Sequence, residues 1–301
     1  MMNMSVTIAG VPFQNPVMTA SGTFGSGLEY SEFVDLNQLG GVVTKGVASI
    51  PWAGNPTPRV AETYGGMLNA IGLQNPGMEV FIERDIPFLR KYKTNIIVNV
   101  CGKTTEEYLK VVERLADCDV DMLEINISCP NVKEGGIAFG QNPSCVEDIT
   151  KEIKKVAKQP IIMKLSPNVT DITETAKAAQ AGGADALSLI NTLTGMKIDV
   201  NMRKFALGNK TGGLSGPAIK PIAVRMVYQV ANAVQIPIIG MGGIMNAEDA
   251  LEFIMAGATG VSIGTANFAN PTATLDVVNG IQEYLQRNKI NDINELIGCV
   301  K

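Results

Sequence analysis

PIIMKLS (160–166), DITETAKAAQAGG (171–183) and ALSLINT (186–192) follow one another with only a few residues between them. The first and third runs are near-continuously apolar up to a polar end, the pattern of parallel strands covered on both faces. The middle stretch is helical in pattern and closes on Gly182, a common stop signal. Working outward, the same alternation recurs. PVMTAS (16–21), GVVTKG (41–46), NIIVNV (95–100) and MLEINIS (122–128) lie upstream; IPIIGMG (236–242) and GVSIGT (260–265) lie downstream. Further helical stretches are TTEEYLKVVERLADC (104–118), opening on Thr104 or Thr105 with acidic residues in its first turn, and NAEDALEFIMAGA (246–258). The latter opens on Asn246 with Glu248 and Asp249 behind it and closes near Gly257. Eight β-α units without a linker indicate an α/β chain, one (β/α)₈ TIM barrel over residues 1–301, with residues 4–15 as a short N-terminal β-hairpin. A doubly wound sheet is the alternative, disfavoured by eight strands and by the lack of a nucleotide fingerprint after the first.

Composition narrows the partners. With 46% hydrophobic and 18% charged residues, the 301-residue chain can bury a large core. A net charge of −4 and a pI near 5.1 argue against a nucleic-acid surface or an anionic membrane. No apolar run approaches the roughly 20 residues of a spanning helix. The start, MMNMSVTIAG, has no signal-peptide pattern, so the expected location is the cytoplasm. Five scattered cysteines without a CxxC pair indicate neither a disulfide framework nor a zinc or iron–sulfur site, and no metal is expected. The chain contains no histidine, which removes Ser-His and Cys-His nucleophiles, His-ligated metals and any histidine base.

In barrels the chemistry sits at the C-terminal strand ends. Here the second strand ends in Lys45, the third carries Asn99, the fourth Asn126, the fifth Lys164, and the sixth ends in Asn191-Thr192. A buried amide or ammonium costs on the order of a few kcal/mol unless it finds a partner, so five such strands in succession point to a ligand. Amides both donate and accept, lysines only donate, and Asp and Glu are missing from the strand ends, which argues against a divalent metal. The glycine turns GMGGI (240–244) and IGTAN (263–267) let backbone N–H groups approach a phosphate. Together these features point to FMN. Glu124, mid-strand, is expected to be buried and paired with a lysine inside the barrel, without a catalytic role.

Cys129 directly follows the fourth strand and precedes Pro130 and a glycine-rich stretch, NVKEGGIAFGQNP (131–143), that reads as a mobile lid. A cysteine is most often a small buried hydrophobe. With no histidine and no strand-end carboxylate, however, Cys129 is the best remaining general base: its ordinary pKa near 8.5 is within reach of neutrality, and nearby lysines would lower it.

GNPTPRVAET (54–63), NAIGLQNPG (69–77), NISCPNV (126–132), MKLSPNVTDI (163–172), INTLTGM (190–196), TGGLSGPAIKP (211–221) and IPIIGMGGI (236–244) resemble the dihydroorotate dehydrogenases. The likeness runs from about residue 5 to the C-terminus, and to the branch with a cysteine base that uses NAD through a partner subunit. The resemblance implies oxidation of (S)-dihydroorotate to orotate in pyrimidine synthesis, Cys129 taking a proton from C5 while hydride passes from C6 to N5 of FMN. It implies FMN contacts at Ser21, Lys45, Gly46, Asn99, Asn126, Lys164, Ile190, Gly216, Gly242, Gly243, Gly264 and Thr265. Implied substrate contacts are Lys45, Asn69, Ala70, Ile71, Gly72, Leu73, Asn126, Asn131, Asn191 and Thr192. It further implies an electron-transfer subunit carrying FAD and a [2Fe–2S] cluster, in a heterotetramer of two catalytic and two electron-transfer chains. Three alternatives stay open at this level: a fumarate-dependent relative that needs no partner, a dihydropyrimidine dehydrogenase-like FMN barrel, and a barrel that binds flavin or pyrimidine without turnover.

Overall fold

The computed structural model describes residues 2–128 and 139–300. Eight parallel strands close into a barrel: Val17–Thr19, Gly41–Val43, Asn95–Val100, Met122–Asn126, Ile161–Lys164, Ala186–Leu189, Ile238–Met241 and Gly260–Ile263. Each pairs with its neighbour in sequence, and the last pairs with the first, Val261 lying opposite Val17. Apart from Asn95, whose side chain reaches the Pro12 carbonyl, every residue of these strands is buried. That is why they read as apolar runs and not as alternating ones.

Helices Thr105–Leu115, Pro143–Val156, Ile172–Ala181, Lys220–Ala231, Ala247–Met255 and Ala273–Asn288 lie outside the barrel. The caps are those the sequence signals: Thr104 Oγ1 accepts from Glu107 N at 3.3 Å, Asn246 Oδ1 accepts from Asp249 N at 3.0 Å, and Gly182 ends its helix. The first crossover differs from the regular β-α expectation. It is made by two 3₁₀ turns, Tyr30–Glu32 and Leu36–Gln38, because the preceding segment spends Gly22, Gly25 and Gly27 on positive φ and turns instead of coiling.

The N-terminal hairpin pairs Val6–Ile8 with Val11–Phe13 around a two-residue turn, Ala9-Gly10, with positive φ at both positions. Residue Asn3 then bonds to Asn291 and Ile293 through its backbone, which ties the two chain ends together. A second sheet lies above the barrel and was not anticipated. Its antiparallel strands Val60–Thr63, Gly66–Asn69, Thr211–Ser215 and Leu193–Met196 unite segments from the second and sixth β-α connections.

Candidate active site

The strand ends converge on a cavity of about 290 Å³, at the small end of the roughly 300–1,000 Å³ usual for small-molecule sites. Ser21 enters it from the first strand, Lys45 and Gly46 from the second, and Asn99, Asn126 and Lys164 from the third, fourth and fifth. Ile190, Asn191 and Thr192 follow from the sixth strand, Gly242 and Gly243 from the seventh, Gly264 and Thr265 from the eighth. No Asp or Glu lines the cavity among the described residues.

Strand register places the polar groups against one another. Asn99 lies opposite Glu124, Asn126 opposite Lys164, and Lys164 opposite Ser188. Glu124 is 1% exposed and sits behind the cavity wall as a shared acceptor. Asn99 Nδ2 donates to its Oε1 at 2.6 Å, Lys164 Nζ to the same oxygen at 3.4 Å, and Ser188 Oγ to Oε2 at 2.8 Å. The pairing of Glu124 with a lysine inside the barrel is thus present, and it is with Lys164. Lys164 Nζ also donates to Ser21 Oγ at 3.0 Å, bridging the fifth strand to the end of the first.

A second chain of bonds orders the amides. Asn191 Nδ2 donates to Ser128 Oγ at 2.6 Å, and Ser128 Oγ donates to Asn126 Oδ1 at 3.0 Å. The hydroxyl of Tyr108, on the helix after the third strand, donates to the carbonyl of Asn126 at 2.7 Å. Segment 69–77 forms another part of the wall through Asn69, Ile71, Gly72 and Leu73. It is held from below by Asn75, whose Oδ1 accepts from Ala48 N and Gly77 N at 3.2 and 2.9 Å. From the side Arg59 donates to Gln74 Oε1 at 2.6 Å.

Two residues named from the sequence stand behind the wall. Ala70 is fully buried in a small cluster with Leu68 and Leu207, and Gly216 backs Gly243, whose Cβ, if present, would lie 2.8 Å from the Gly216 carbonyl. Gly242 and Gly243 have φ of +124° and +81°, so the turn after the seventh strand needs glycine at both positions. Cys129 and Asn131 lie outside the described residues, as does the 131–143 stretch as far as residue 138. Val60, Met67 and Ser215 of the second sheet, with Met241, Ser262 and Phe268, also line the cavity and were missed. The motifs GNPTPRVAET and TGGLSGPAIKP were visible, yet their strands are short, and the sheet forms only when the 60–69 hairpin meets 211–215 from a distant part of the chain.

Residues 3–285 match the family model described as Dihydroorotate dehydrogenase. The chain belongs to the dihydroorotate dehydrogenase family. A relative from Lachnoclostridium phytofermentans is 73% identical over 300 residues, covering 100% of both chains. One from Alkaliphilus oremlandii is 68% identical over 296 residues, 98% of each. Both are called Dihydroorotate dehydrogenase B (NAD(+)), catalytic subunit. The crystal structure of the Eimeria tenella enzyme in complex with ferulenol superposes with a TM-score of 0.82 at 24% identity, over 99% of this chain and 88% of that one, and shows the same barrel.

The wall of this dihydroorotate dehydrogenase cavity fits FMN, the cofactor of the family, on two observations. The hydroxyl of Ser262 on the eighth strand is buried in it without a hydrogen-bond partner. Lys164 carries three N–H groups, of which Ser21 and Glu124 take two, leaving one for the cavity that Lys164 lines.

Proposed function

We propose that this chain oxidises (S)-dihydroorotate to orotate, with FMN in the cavity and Cys129 as general base. The observation that carries the reading is the convergence of Lys45, Asn99, Asn126, Lys164 and Asn191 from five successive strands on a cavity lined by no carboxylate among the described residues. Bound FMN supplies a two-electron acceptor for the hydride leaving C6 of the substrate. Cys129, three residues beyond Asn126 at the end of the fourth strand, takes the C5 proton on its thiolate Sγ. Asn69, Asn126, Asn191 and Thr192, with Asn131, offer donors and acceptors to the carbonyl and N–H edges of the substrate ring. The ammonium of Lys45 would meet the substrate carboxylate, with Ile71, Gly72 and Leu73 beside the ring and Ala70 supporting them from behind.

On the flavin side, backbone N–H groups of the Gly242-Gly243 and Gly264-Thr265 turns suit the phosphate. Ser21, Gly46, Asn99 and Ile190 line the cavity where they would hold the ring system, and Gly216 supports the Gly243 turn. Lys164 presents positive charge where negative charge gathers on reduction.

Electrons then leave through an electron-transfer subunit carrying FAD and a [2Fe–2S] cluster, in a cytoplasmic heterotetramer of two catalytic and two electron-transfer chains, with NAD as final acceptor. The relatives' description as catalytic subunits of an NAD(+) enzyme supports this route. So does the chain itself, which has neither a GxGxxG after its first strand nor clustered cysteines.

The test is spectroscopic. The purified chain should be yellow with one FMN per barrel, and anaerobic dihydroorotate should bleach it; a flavin that dihydroorotate leaves oxidised overturns the reading. Dithionite-reduced chain should transfer electrons to NAD slowly alone and rapidly with the partner. Rapid reoxidation by NAD without a partner overturns the electron route, and rapid reoxidation by fumarate moves the chain to the fumarate-dependent branch.

A further inference from the structure

We propose that Glu124 is a positioning residue that aims Lys164 at the bound flavin and offsets part of the lysine's charge there, so that reduced flavin is held less tightly. The inference rests on the reading of the cavity as an FMN site. Glu124 does not touch that cavity: it is 1% exposed, in the middle of the fourth strand, and Lys164, 4% exposed, stands between it and the open space. Two acceptors fix the ammonium, Ser21 Oγ at 3.0 Å beyond the first strand and Glu124 Oε1 at 3.4 Å on the fourth. Held from two sides, the ammonium has one remaining N–H for the cavity.

Hydrogen bonding alone does not call for a carboxylate at this position. A glutamine would keep every contact: its oxygen could accept from Asn99 Nδ2 and Lys164 Nζ as Glu124 Oε1 does, and its amide could donate to Ser188 Oγ, since a hydroxyl can turn from donor to acceptor. What the carboxylate adds is a negative charge, and burying one carries a desolvation cost that pairing must repay. With Glu124 behind it, Lys164 presents a flavin with the field of an ion pair and not of a lone cation. A lone cation would stabilise the reduced, more negative flavin and slow the loss of its electrons. The buried carboxylate moderates that hold, which suits an enzyme that must pass the electrons on.

Glu124→Gln separates charge from shape. The measurement is the ratio of dissociation constants for oxidised and dithionite-reduced FMN, with midpoint potential as an independent readout. Glu124→Gln is expected to favour reduced FMN by roughly tenfold over the unaltered chain. That corresponds to a potential about 30 mV higher for a two-electron couple. Glu124→Asp, which keeps the charge, should stay closer to the unaltered chain than to Glu124→Gln. A bound flavin whose ratio does not move in Glu124→Gln overturns the inference, since a merely structural pair would lower thermal stability and leave the ratio alone. Should Glu124→Gln not fold, Glu124→Asp carries the test: its carboxylate, one methylene shorter and farther from Lys164 Nζ, offsets less of the ammonium's charge. A shift of a few-fold toward reduced FMN is then expected, and no shift or a shift the other way overturns the inference. An unaltered chain that binds no FMN overturns instead the flavin reading beneath it.

Discussion

Asn191 and Ser128 meet across the top of the barrel, the asparagine Nδ2 donating to the serine Oγ at 2.6 Å. Ser128 passes the bond on to Asn126 Oδ1, so one hydroxyl sets the orientation of two amides that line the cavity. An amide presents a donor on one side and an acceptor on the other, and a flipped amide meets the wrong edge of a pyrimidine ring.

Ser128→Ala is therefore expected to weaken orotate binding by roughly tenfold, the effect of losing one or two oriented hydrogen bonds of about 1 kcal/mol each. Flavin content should be retained. Titration of the flavin spectrum with orotate checks this, and unchanged orotate affinity would show that the amides keep their orientation without the serine.

Cys129→Ser keeps the shape of the side chain but replaces a thiol of ordinary pKa near 8.5 with a hydroxyl that ionises far higher. Flavin binding should survive, while anaerobic reduction by dihydroorotate should slow by roughly 10²-fold or more. Serine in place of Cys118, Cys145 or Cys299 should leave that rate within a few-fold, since none of the three lines the cavity. Stopped-flow absorbance separates the four variants.

Lys164→Ala removes one partner of a buried ion pair and leaves Glu124 without its cation. A destabilisation of about 3–5 kcal/mol is expected, together with loss of most bound FMN. Denaturant unfolding and flavin release measure the two effects. Normal flavin content and a normal reduction rate in this variant would contradict the role given to the lysine.

Asp292 ties the chain ends together. Its carboxylate accepts from the backbone and side chain of Asn294 and from Asn3 Nδ2, and these bonds hold its pKa below the ordinary carboxylate value. A carboxyl with a lowered folded pKa contributes stability above its unfolded value, near 3.9, and that contribution is lost as the pH falls through the folded value. Asp292→Ala should cost about 0.5–2 kcal/mol at neutral pH, the usual worth of such a cap. The difference from the unaltered chain should fade in acid below about pH 4. Urea unfolding of both chains at pH 7 and pH 3 checks it, and a difference independent of pH would exclude the carboxylate as its source.

Read alone, the sequence determined the barrel. Its eight strands are buried, and parallel strands covered on both faces must be written as apolar runs whatever surrounds them. It also determined which residues stand at the strand ends, because a polar side chain closing an apolar strand needs a reason, and the burial of Glu124, which no surface strand would need to hide. Only the tertiary structure decided the rest. The sheet of 60–63, 66–69, 193–196 and 211–215 joins two local pairs through one contact between strands more than a hundred residues apart, 66–69 with 211–215, and its strands are too short to announce themselves. That Glu124 meets Lys164 and Ser188, that Ser128 links two amides, and that Ala70 and Gly216 fall behind the wall depend on strand register and loop path. A shift of one residue in register would turn Glu124, Lys164 and Ser188 to the other face, and no local pattern in the chain specifies which neighbour each will meet.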